Sequence, residues 1–370
     1  MVTRSLESLG IVHTEASHGW GGQEIRILTE SAGMISRGHQ VRLLCPPEAR
    51  IFEEAGRYGV PAQALPIGRK NLRGFLALRR WLATHEVDVI NTHSSTDSWL
   101  AALSLKTLGR TTPIVRTRHI SSPIPNNLAT RWLYQSATSY IVTTGERLRE
   151  QLIYDNGYDA ARIVSVPTGI NTKKFISGDK TAARIQLGLP TNARIIGIVA
   201  TLRSWKGHRY LIDAVAGLPE DVLLLIVGDG PQREALRRQI DNHGLSERVL
   251  MPGNQSDAVP WLQALDVFAL PSYANEGVPQ ALIQAMLCGL PVVTTDVGGI
   301  TEAVQHEKTG LIIPPQNVDA LRGALARLLD DSGLRKQFGQ SALDVAQRKF
   351  DVEFMLERME AVFRKVIEHR

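Results

Sequence analysis

The sequence predicts an α/β protein made of two doubly wound domains, each a parallel sheet flanked by helices. Three observations carry this expectation. Short apolar runs alternate with longer amphipathic ones along almost the whole chain, the pattern of repeated strand–helix units. The short runs are rich in Val, Ile and Leu with little polar alternation, as strands buried on both faces are. The chain has 370 residues, more than a single hydrophobic core of usual size accommodates.

In the first half, strands are expected at Leu9–His13, Val41–Cys45, Val87–Thr92, Ile114–Arg118 and Tyr140–Thr143. Helices such as Gln23–Arg37 and Leu72–Thr84 fall between them. The second half repeats the alternation, with strands at Ile195–Ala200, Val222–Gly228, Val249–Met251, Val267–Leu270, Val292–Thr294 and Gly310–Ile313. Pro167-Thr168-Gly169-Ile170-Asn171 and the polar stretch to Lys180 punctuate the pattern, which restarts at Ile195. The expected domains are therefore 1–168 and 169–350. A long, charged, amphipathic last helix from about Asp351 is expected to pack back on the first domain. Ligands of doubly wound sheets bind at strand C-termini, so the site is expected in a cleft where the two domains face each other.

Composition narrows the function classes. Hydrophobic content of 43% with 21% charged residues reads as a soluble globular protein. No apolar run approaches the roughly 20 residues needed to span a bilayer. Met1–Gly10 lacks the apolar core of a signal peptide, and the two cysteines, Cys45 and Cys288, read as buried free thiols. A cytoplasmic location is the expectation. Residues 1–170 hold 19 Lys/Arg against 14 Asp/Glu, whereas the remaining residues hold 23 of each. The basic excess thus lies in the first half, where anionic partners are expected. It is modest and has no interleaved aromatics, so nucleic acid is not an expected partner.

Several loops carry chemistry. Ser17-His18-Gly19-Trp20-Gly21-Gly22-Gln23-Glu24 follows the first strand and opens a helix, where glycine permits close approach and helix amides suit an anion. A phosphate or acceptor contact and a plain tight turn fit that loop equally. No acidic residue stands about 20 positions on, which argues against a dinucleotide site. His119 follows the strand ending at Arg118, a position that points at substrate or holds a structural histidine. Leu202-Arg203-Ser204-Trp205-Lys206-Gly207-His208 offers two cations and a glycine at a strand-to-helix turn, a combination suited to a diphosphate. Gly228-Asp229-Gly230-Pro231 reads chiefly as a structural turn.

The most informative segment runs from Pro271 to Pro291. A buried strand ends at Leu270, a loop presents Glu276, and Pro279 suits the first position of a helix. The amides near Gln280, Ala281 and Leu282 then precede the first intrahelical bond, with the positive end of the helix dipole behind them. Gln280 and Gln284 share one helix face, while Leu282, Ala285 and Met286 face the sheet. A carboxylate, amide donors and two carboxamides together suit a sugar hydroxyl beside a nucleotide phosphate.

At this point the sequence resembles the retaining glycosyltransferases of the GT-B fold, family 4, also called glycosyl transferases group 1. The resemblance rests on seven features in order. They are the Gly-Gly-Gln-Glu opening, Arg37-Gly38-His39-Gln40-Val41, the histidine after the strand at Ile114–Arg118, Val166-Pro167-Thr168-Gly169-Ile170-Asn171, Lys206-Gly207-His208, Gly228-Asp229-Gly230-Pro231, and the block ending Cys288-Gly289-Leu290-Pro291-Val292-Val293. It implies two Rossmann-like domains and transfer of a sugar from a nucleoside-diphosphate sugar, UDP rather than GDP. By position Glu276 matches the glutamate that contacts the transferred sugar, with Gly277 and Val278 beside it. Lys206 matches the diphosphate lysine, Gly21 and Gly22 the glycine loop, and His119 the histidine near the donor sugar. The expected catalytic residues are Glu276, His119 and Lys206. The expected donor-binding set is Gly21, Gly22, Arg203, Lys206, Glu276, Gly277, Val278, Gln280, Ala281, Leu282 and Gln284.

Two positions depart from the family pattern. Gln284 stands where the second glutamate holds the ribose, and it offers one acceptor oxygen and an NH2 instead of two acceptor oxygens. Thr201 stands where an arginine is usual, with Arg203 two positions on. No D-x-D pair ends a strand, so no metal and no cofactor beyond the substrate nucleotide sugar is expected. The resemblance implies a glycan or lipid-linked acceptor, in lipopolysaccharide or related surface polysaccharide synthesis. Residues 68–82 hold five cations and six large apolar residues, the makings of weak peripheral binding to an anionic membrane or of a helix on its own sheet. The alternatives are a nucleotide-sugar 2-epimerase of the same fold and a non-catalytic nucleotide-sugar-binding subunit.

Overall fold

The structure, a computed structural model, describes residues 8–369. Two compact units divide it, one formed by residues up to Gly169 together with those from Glu353 onward, the other by Ile170–Val352.

The first unit is built on seven parallel strands in the order β3-β2-β1-β4-β5-β6-β7. They are β1 (Gly10–Thr14), β2 (Gln40–Cys45), β3 (Ala62–Ala64), β4 (Val89–Thr92), β5 (Ile114–Arg118), β6 (Tyr140–Thr143) and β7 (Ile163–Ser165). Two of these, β3 and β7, do not follow from the apolar pattern. Each has three residues, lies at a sheet edge and pairs on one side only, so it needs no continuous apolar run. The strand at Ile114–Arg118 is accordingly the fifth. The helices Gly22–Ser36 and Leu72–Thr84 lie within one residue of their expected bounds.

The last helix, Val352–Glu368, lies against the first unit. Phe363 meets the His13 ring edge-on at 6.4 Å, and the Met359 sulfur lies 3.7 Å from Arg26 Nη2. Arg37 pairs with Glu353 at 2.7 Å and with Glu360 at 3.1 Å.

The second unit holds six parallel strands in the order β10-β9-β8-β11-β12-β13. They are β8 (Arg194–Val199), β9 (Val222–Val227), β10 (Val249–Gly253), β11 (Val267–Leu270), β12 (Val292–Thr295) and β13 (Gly310–Ile313). Its core is continuous and includes Ile195, Ile198, Leu225, Phe268, Leu282 and Met286, all fully buried. In both sheets the strand order reverses once, between β1 and β4 and between β8 and β11. Loops leaving the strand C-termini part to opposite sides there, which opens the crevice where doubly wound sheets take ligands. Gly21, Arg203, Lys206, Glu276 and His119 lie on loops that leave strand C-termini, whereas Gln284 lies within the helix Gln280–Leu287.

Candidate active site

In the second unit, the loops after β8, β11 and β12 lock together. Lys206 closes a short turn, Ser204–Lys206, and Gly207 follows it with φ 80°, a left-handed conformation that favours glycine. A Cβ on Gly207 would stand 2.0 Å from the Pro271 carbonyl oxygen, so only glycine lets the two loops touch. Tyr273 N donates to Trp205 O at 2.8 Å across the same seam. Glu276 is 4% exposed, and its carboxylate is the centre of the arrangement. Lys206 Nζ donates to both carboxylate oxygens, at 2.7 and 2.9 Å, and Ser272 Oγ donates to Oε1 at 2.6 Å. Behind the glutamate, a Cβ on Gly298 (φ 59°) would come within 2.0 Å of the Glu276 carbonyl oxygen, and Gly299 N donates to Gly277 O at 3.2 Å.

The helix that follows spans Gln280–Leu287, with Pro279 as its N-cap at φ −70° and ψ 125°. Pro279 thus precedes the first helical position instead of filling it. Its extended ψ turns the chain into the helix, and its carbonyl accepts the first intrahelical bond from Ile283 N at 3.3 Å. No side chain caps this end. The amides of Gln280, Ala281 and Leu282 therefore come before the helical ladder begins, a few residues from Glu276. Leu282, Ala285 and Met286 are in the core, while Gln280 and Gln284 are half-buried on the other face. Val278 is buried beneath the loop.

Arg203 is not drawn into this cluster. It is exposed and lies over the Trp205 ring at 5.7 Å. Lys206, Glu276 and the helix start come together; Arg203 stands aside.

In the first unit, Gly21 is the extended N-cap and Gly22 the first residue of the helix Gly22–Ser36, again without a side-chain cap. The preceding Glu15 is fully buried. It accepts from Ser17 N at 2.7 Å and from the Gln23 side chain, which fixes the loop. Burial, then Asp97 and Glu24, push its carboxyl up to about 8. Asp97 is set by a capping box with Ser94 at the start of helix Ser95–Leu108.

His119 follows β5 and does not stand alone. His13 Nδ1 lies 2.9 Å from His93 Nε2, and His93 Nδ1 lies 3.0 Å from His119 Nε2, forming a chain of three imidazoles from β1 through the end of β4 to the end of β5. Burial, more than the neighbouring cations, holds all three well below the ordinary histidine range, with His13 at about 3. Each ring is therefore neutral and carries one proton. Glu30, paired with Arg26 at 3.6 Å and accepting from Asn91 at 3.2 Å, faces His13 Nε2 at 4.0 Å. Burial raises the Glu30 carboxyl above its usual range against the pull of Arg26, and 4.0 Å is beyond hydrogen-bond reach of His13 Nε2. With the His13 proton on Nε2, His93 Nε2–H donates to His13, His119 Nε2–H donates to His93 and His119 Nδ1 is left as an acceptor; with it on Nδ1 the direction reverses. Sequence reasoning missed His13 and His93, although His93 follows its strand as His119 does.

Comparison with known proteins gives these arrangements a family. The model for glycosyl transferases group 1 matches residues 179–345, and that for Glycosyltransferase Family 4 matches residues 20–174. The chain belongs to the GT-B glycosyltransferases. Among curated relatives, the D-inositol 3-phosphate glycosyltransferase of Mycobacterium tuberculosis is 28% identical over 357 residues, covering 84% of this chain and 71% of that protein. Among solved structures, Anabaena Alr3699/HepE in complex with UDP and glucose aligns with a TM-score of 0.86 at 23% identity, over 96% of this chain and all of that one. Sucrose-phosphate synthase of Thermosynechococcus elongatus aligns at 0.82 and 22% identity, over 97% and 99%. For this glycosyltransferase, then, Glu276, Lys206 and the Gln280 helix start are the polar cluster of the second unit, while Gly21, Gly22 and His119 belong to the first.

Proposed function

We propose that this glycosyltransferase moves a sugar from a nucleoside-diphosphate sugar, UDP before GDP, to a saccharide or lipid-linked acceptor with retention of configuration. The observation that carries the reading is the Lys206–Glu276–Ser272 cluster beside the uncapped start of helix Gln280–Leu287. The bound UDP and glucose of the Anabaena structure support the donor class.

In this reading Glu276 accepts from sugar hydroxyls, with its orientation fixed by Ser272 and Lys206. Lys206 uses two contacts on Glu276, and its ammonium carries a third N–H for a phosphate oxygen. The departing diphosphate gains one negative charge as the C–O bond breaks, and Lys206 and the helix-start amides of Gln280, Ala281 and Leu282 stabilise it. Gly277 and Val278 shape the floor, Arg203 swings from Trp205 to the diphosphate, and Gln284 accepts from one ribose hydroxyl and donates to the other. Gly21 and Gly22 give the acceptor or phosphate a close backbone approach, and His119 accepts from a sugar hydroxyl through Nδ1. The chemistry runs without a metal ion, the diphosphate oxygen taking the acceptor's proton on the face it leaves. Chelator-insensitive turnover is the corresponding test.

The pathway we assign is surface polysaccharide synthesis at the inner face of the membrane. Among the described residues no helix is long and apolar enough to cross a membrane. The Leu72–Thr84 helix corrects one part of the membrane expectation. Trp81 is buried, donates to Gln63 Oε1 at 2.7 Å and stacks on His85, so it is a core residue and not an interfacial anchor. Leu72 and Leu76 remain exposed beside Arg73 and Arg80 and carry the proposed weak contact. Failure of anionic liposomes to retain the protein at low salt removes that contact.

The deciding experiment measures nucleoside-diphosphate release over a panel of donors, with and without acceptor. Release coupled to a new glycoside supports transfer. Release with an epimerised sugar and no transfer product supports the 2-epimerase. Binding without release supports a nucleotide-sugar-binding subunit.

A further inference from the structure

One buried carboxyl organises the loop between β1 and the helix Gly22–Ser36. Glu15 is the residue after β1 and is fully buried, and its backbone N–H donates to Leu44 O at 3.0 Å, continuing the pairing of β1 with β2. Its two carboxyl oxygens serve both ends of the loop. Oε1 accepts from Ser17 N at 2.7 Å, and Ser17 Oγ in turn accepts from Gly19 N at 2.9 Å. Oε2 meets the Gln23 carboxamide, one residue beyond Gly22. Gln23 is half-buried, so its carboxamide reaches from Glu15 toward the surface of the loop.

The surroundings decide where the proton sits. Three groups act on or beside the Glu15 carboxyl: Asp97 at the start of helix Ser95–Leu108, Glu24 in the first turn of helix Gly22–Ser36, and the Cys45 thiol at the end of β2. The thiol, pushed up to about 12 by burial and then by Glu15, stays neutral. Burial raises the Asp97 carboxyl, but five donors and the charge of Arg116 oppose that rise. The donors are Thr14 Oγ1, His93 N, Ser94 N, Ser94 Oγ and Ser98 N, at 2.6 to 2.9 Å. Glu15 has only Ser17 N and Gln23 to set against burial and two like charges, which push it up to about 8. The proton therefore rests on Glu15, and Asp97 is the anion of the pair.

A neutral carboxyl changes what Gln23 offers. An ionised Glu15 only accepts, so the Gln23 NH2 turns to it and the carboxamide oxygen turns outward. A protonated Glu15 has an O–H to give. A half-turn of the carboxamide then brings the Gln23 oxygen to receive it, and the NH2 turns outward instead. We propose that Glu15 is a positioning residue that presents the Gln23 NH2 to the diphosphate of the nucleotide sugar, beside Gly21 and Gly22. Two effects act together: the diphosphate meets a donor in place of a lone pair, and no carboxylate charge stands behind that donor. Binding of the anion therefore favours protonated Glu15, and above the pH at which Glu15 ionises each bound nucleotide takes up a proton from solvent. The identity of the ligand rests on the transferase reading above; the pairing of Glu15 with Gln23 does not.

Two measurements on the full chain separate the pairing from the ligand. Without nucleotide, the side-chain NH2 resonances of Gln23 in 15N-labelled protein, assigned by their loss in Gln23→Met, should shift with a midpoint near pH 8. In Glu15→Gln, where an NH2 replaces the acid proton, they should not move over that range. Absence of a midpoint between pH 7 and 9 in the parent overturns the pairing, whatever the nucleotide does. UDP is then titrated calorimetrically from pH 7 to 9.5. The affinity of the parent should fall about fivefold more over this range than that of Glu15→Gln. Ionisation of UDP itself is common to both proteins, so the difference belongs to Glu15. Gln23→Met should weaken binding about fivefold at pH 7 and lose the same pH dependence. Parallel pH profiles of the parent and Glu15→Gln, or full affinity in Gln23→Met, overturn the assignment to the diphosphate. A parent that binds no UDP at any pH refutes the transferase reading itself, and the resonance midpoint still decides the pairing.

Discussion

Replacing Lys206 by Met separates what that residue does for the fold from what it does for the reaction. The ammonium and the Glu276 carboxylate are 2.7 Å apart, with the glutamate side chain 5% exposed and the lysine 20%. Two unit charges at that distance attract by about 6 kcal/mol at an effective dielectric constant of 20. Desolvation offsets part of this, and breaking a buried pair by removing one partner costs about 3–5 kcal/mol because the other charge is left without compensation. The lysine keeps some solvent contact and Ser272 continues to donate to the carboxylate, which favours the lower figure, about 3 kcal/mol. For a unit the size of 170–352, at about 2–4 °C per kcal/mol, its melting transition should fall by roughly 6–12 °C. Adding Glu276→Gln removes the stranded charge, so the double variant should recover most of that loss. Transfer behaves differently: loss of a leaving-group cation lowers turnover by about 10²–10³, and the double variant does not regain it. Calorimetry on the full chain and a coupled nucleoside-diphosphate assay read the two quantities. A single variant that melts within 2 °C of the parent refutes the buried-pair argument. A double variant that recovers turnover along with stability refutes the catalytic one.

Three further outcomes follow from the same geometry. Glu15 keeps its proton to about pH 8 in the folded state but only to about 4.5 when unfolded, so folded protein binds more protons in that window and stability falls as pH rises through it. His13 acts in the opposite sense below about 6.5, since it stays neutral down to about 3 when folded. The two oppose each other up to pH 6.5, and between 6.5 and 8 Glu15→Gln should flatten the decline in the urea midpoint of the first unit. In 15N-histidine-labelled protein, His119 should show a protonated Nε2 and an unprotonated Nδ1, and His93→Phe should remove that preference; an Nδ1–H tautomer in the parent reverses the assigned direction of the chain. Gln284→Glu should change UDP affinity by less than tenfold while transfer persists in both forms, and a jump from no transfer to clear transfer would mean that Gln284 disables the natural chain.

Much of the fold was legible because its signals are local. A strand buried on both faces announces itself through a run such as Val222-Leu223-Leu224-Leu225-Ile226-Val227, whatever lies around it. The three-residue edge strands Ala62–Ala64 and Ile163–Ser165 carry no such run, because a strand paired on one side takes its place from its neighbour and not from its own composition. The site divides in the same way. Glu276 and the helix start at Gln280 were readable, since loop, proline and helix lie within a few residues of one another. The contact of Lys206 with Glu276 spans 70 residues, and nothing in either segment alone states it.

The histidine chain joins residues that no local signal in the sequence connects. His13, His93 and His119 are separated by 80 and 26 residues, and only His119 stands out as a candidate in the sequence. Parallel order places the ends of β1, β4 and β5 side by side, so three residues distant in sequence become neighbours at the point where the strand order reverses. Once adjacent and buried, they cannot ionise cheaply, and a proton placed on one ring fixes the tautomer of the next. Glu30 sits at one end of that sequence of choices and the partly exposed His119 at the other. The tautomer of His119 is thereby tied, through His93, to that of His13, whose Nε2 faces Glu30 at 4.0 Å.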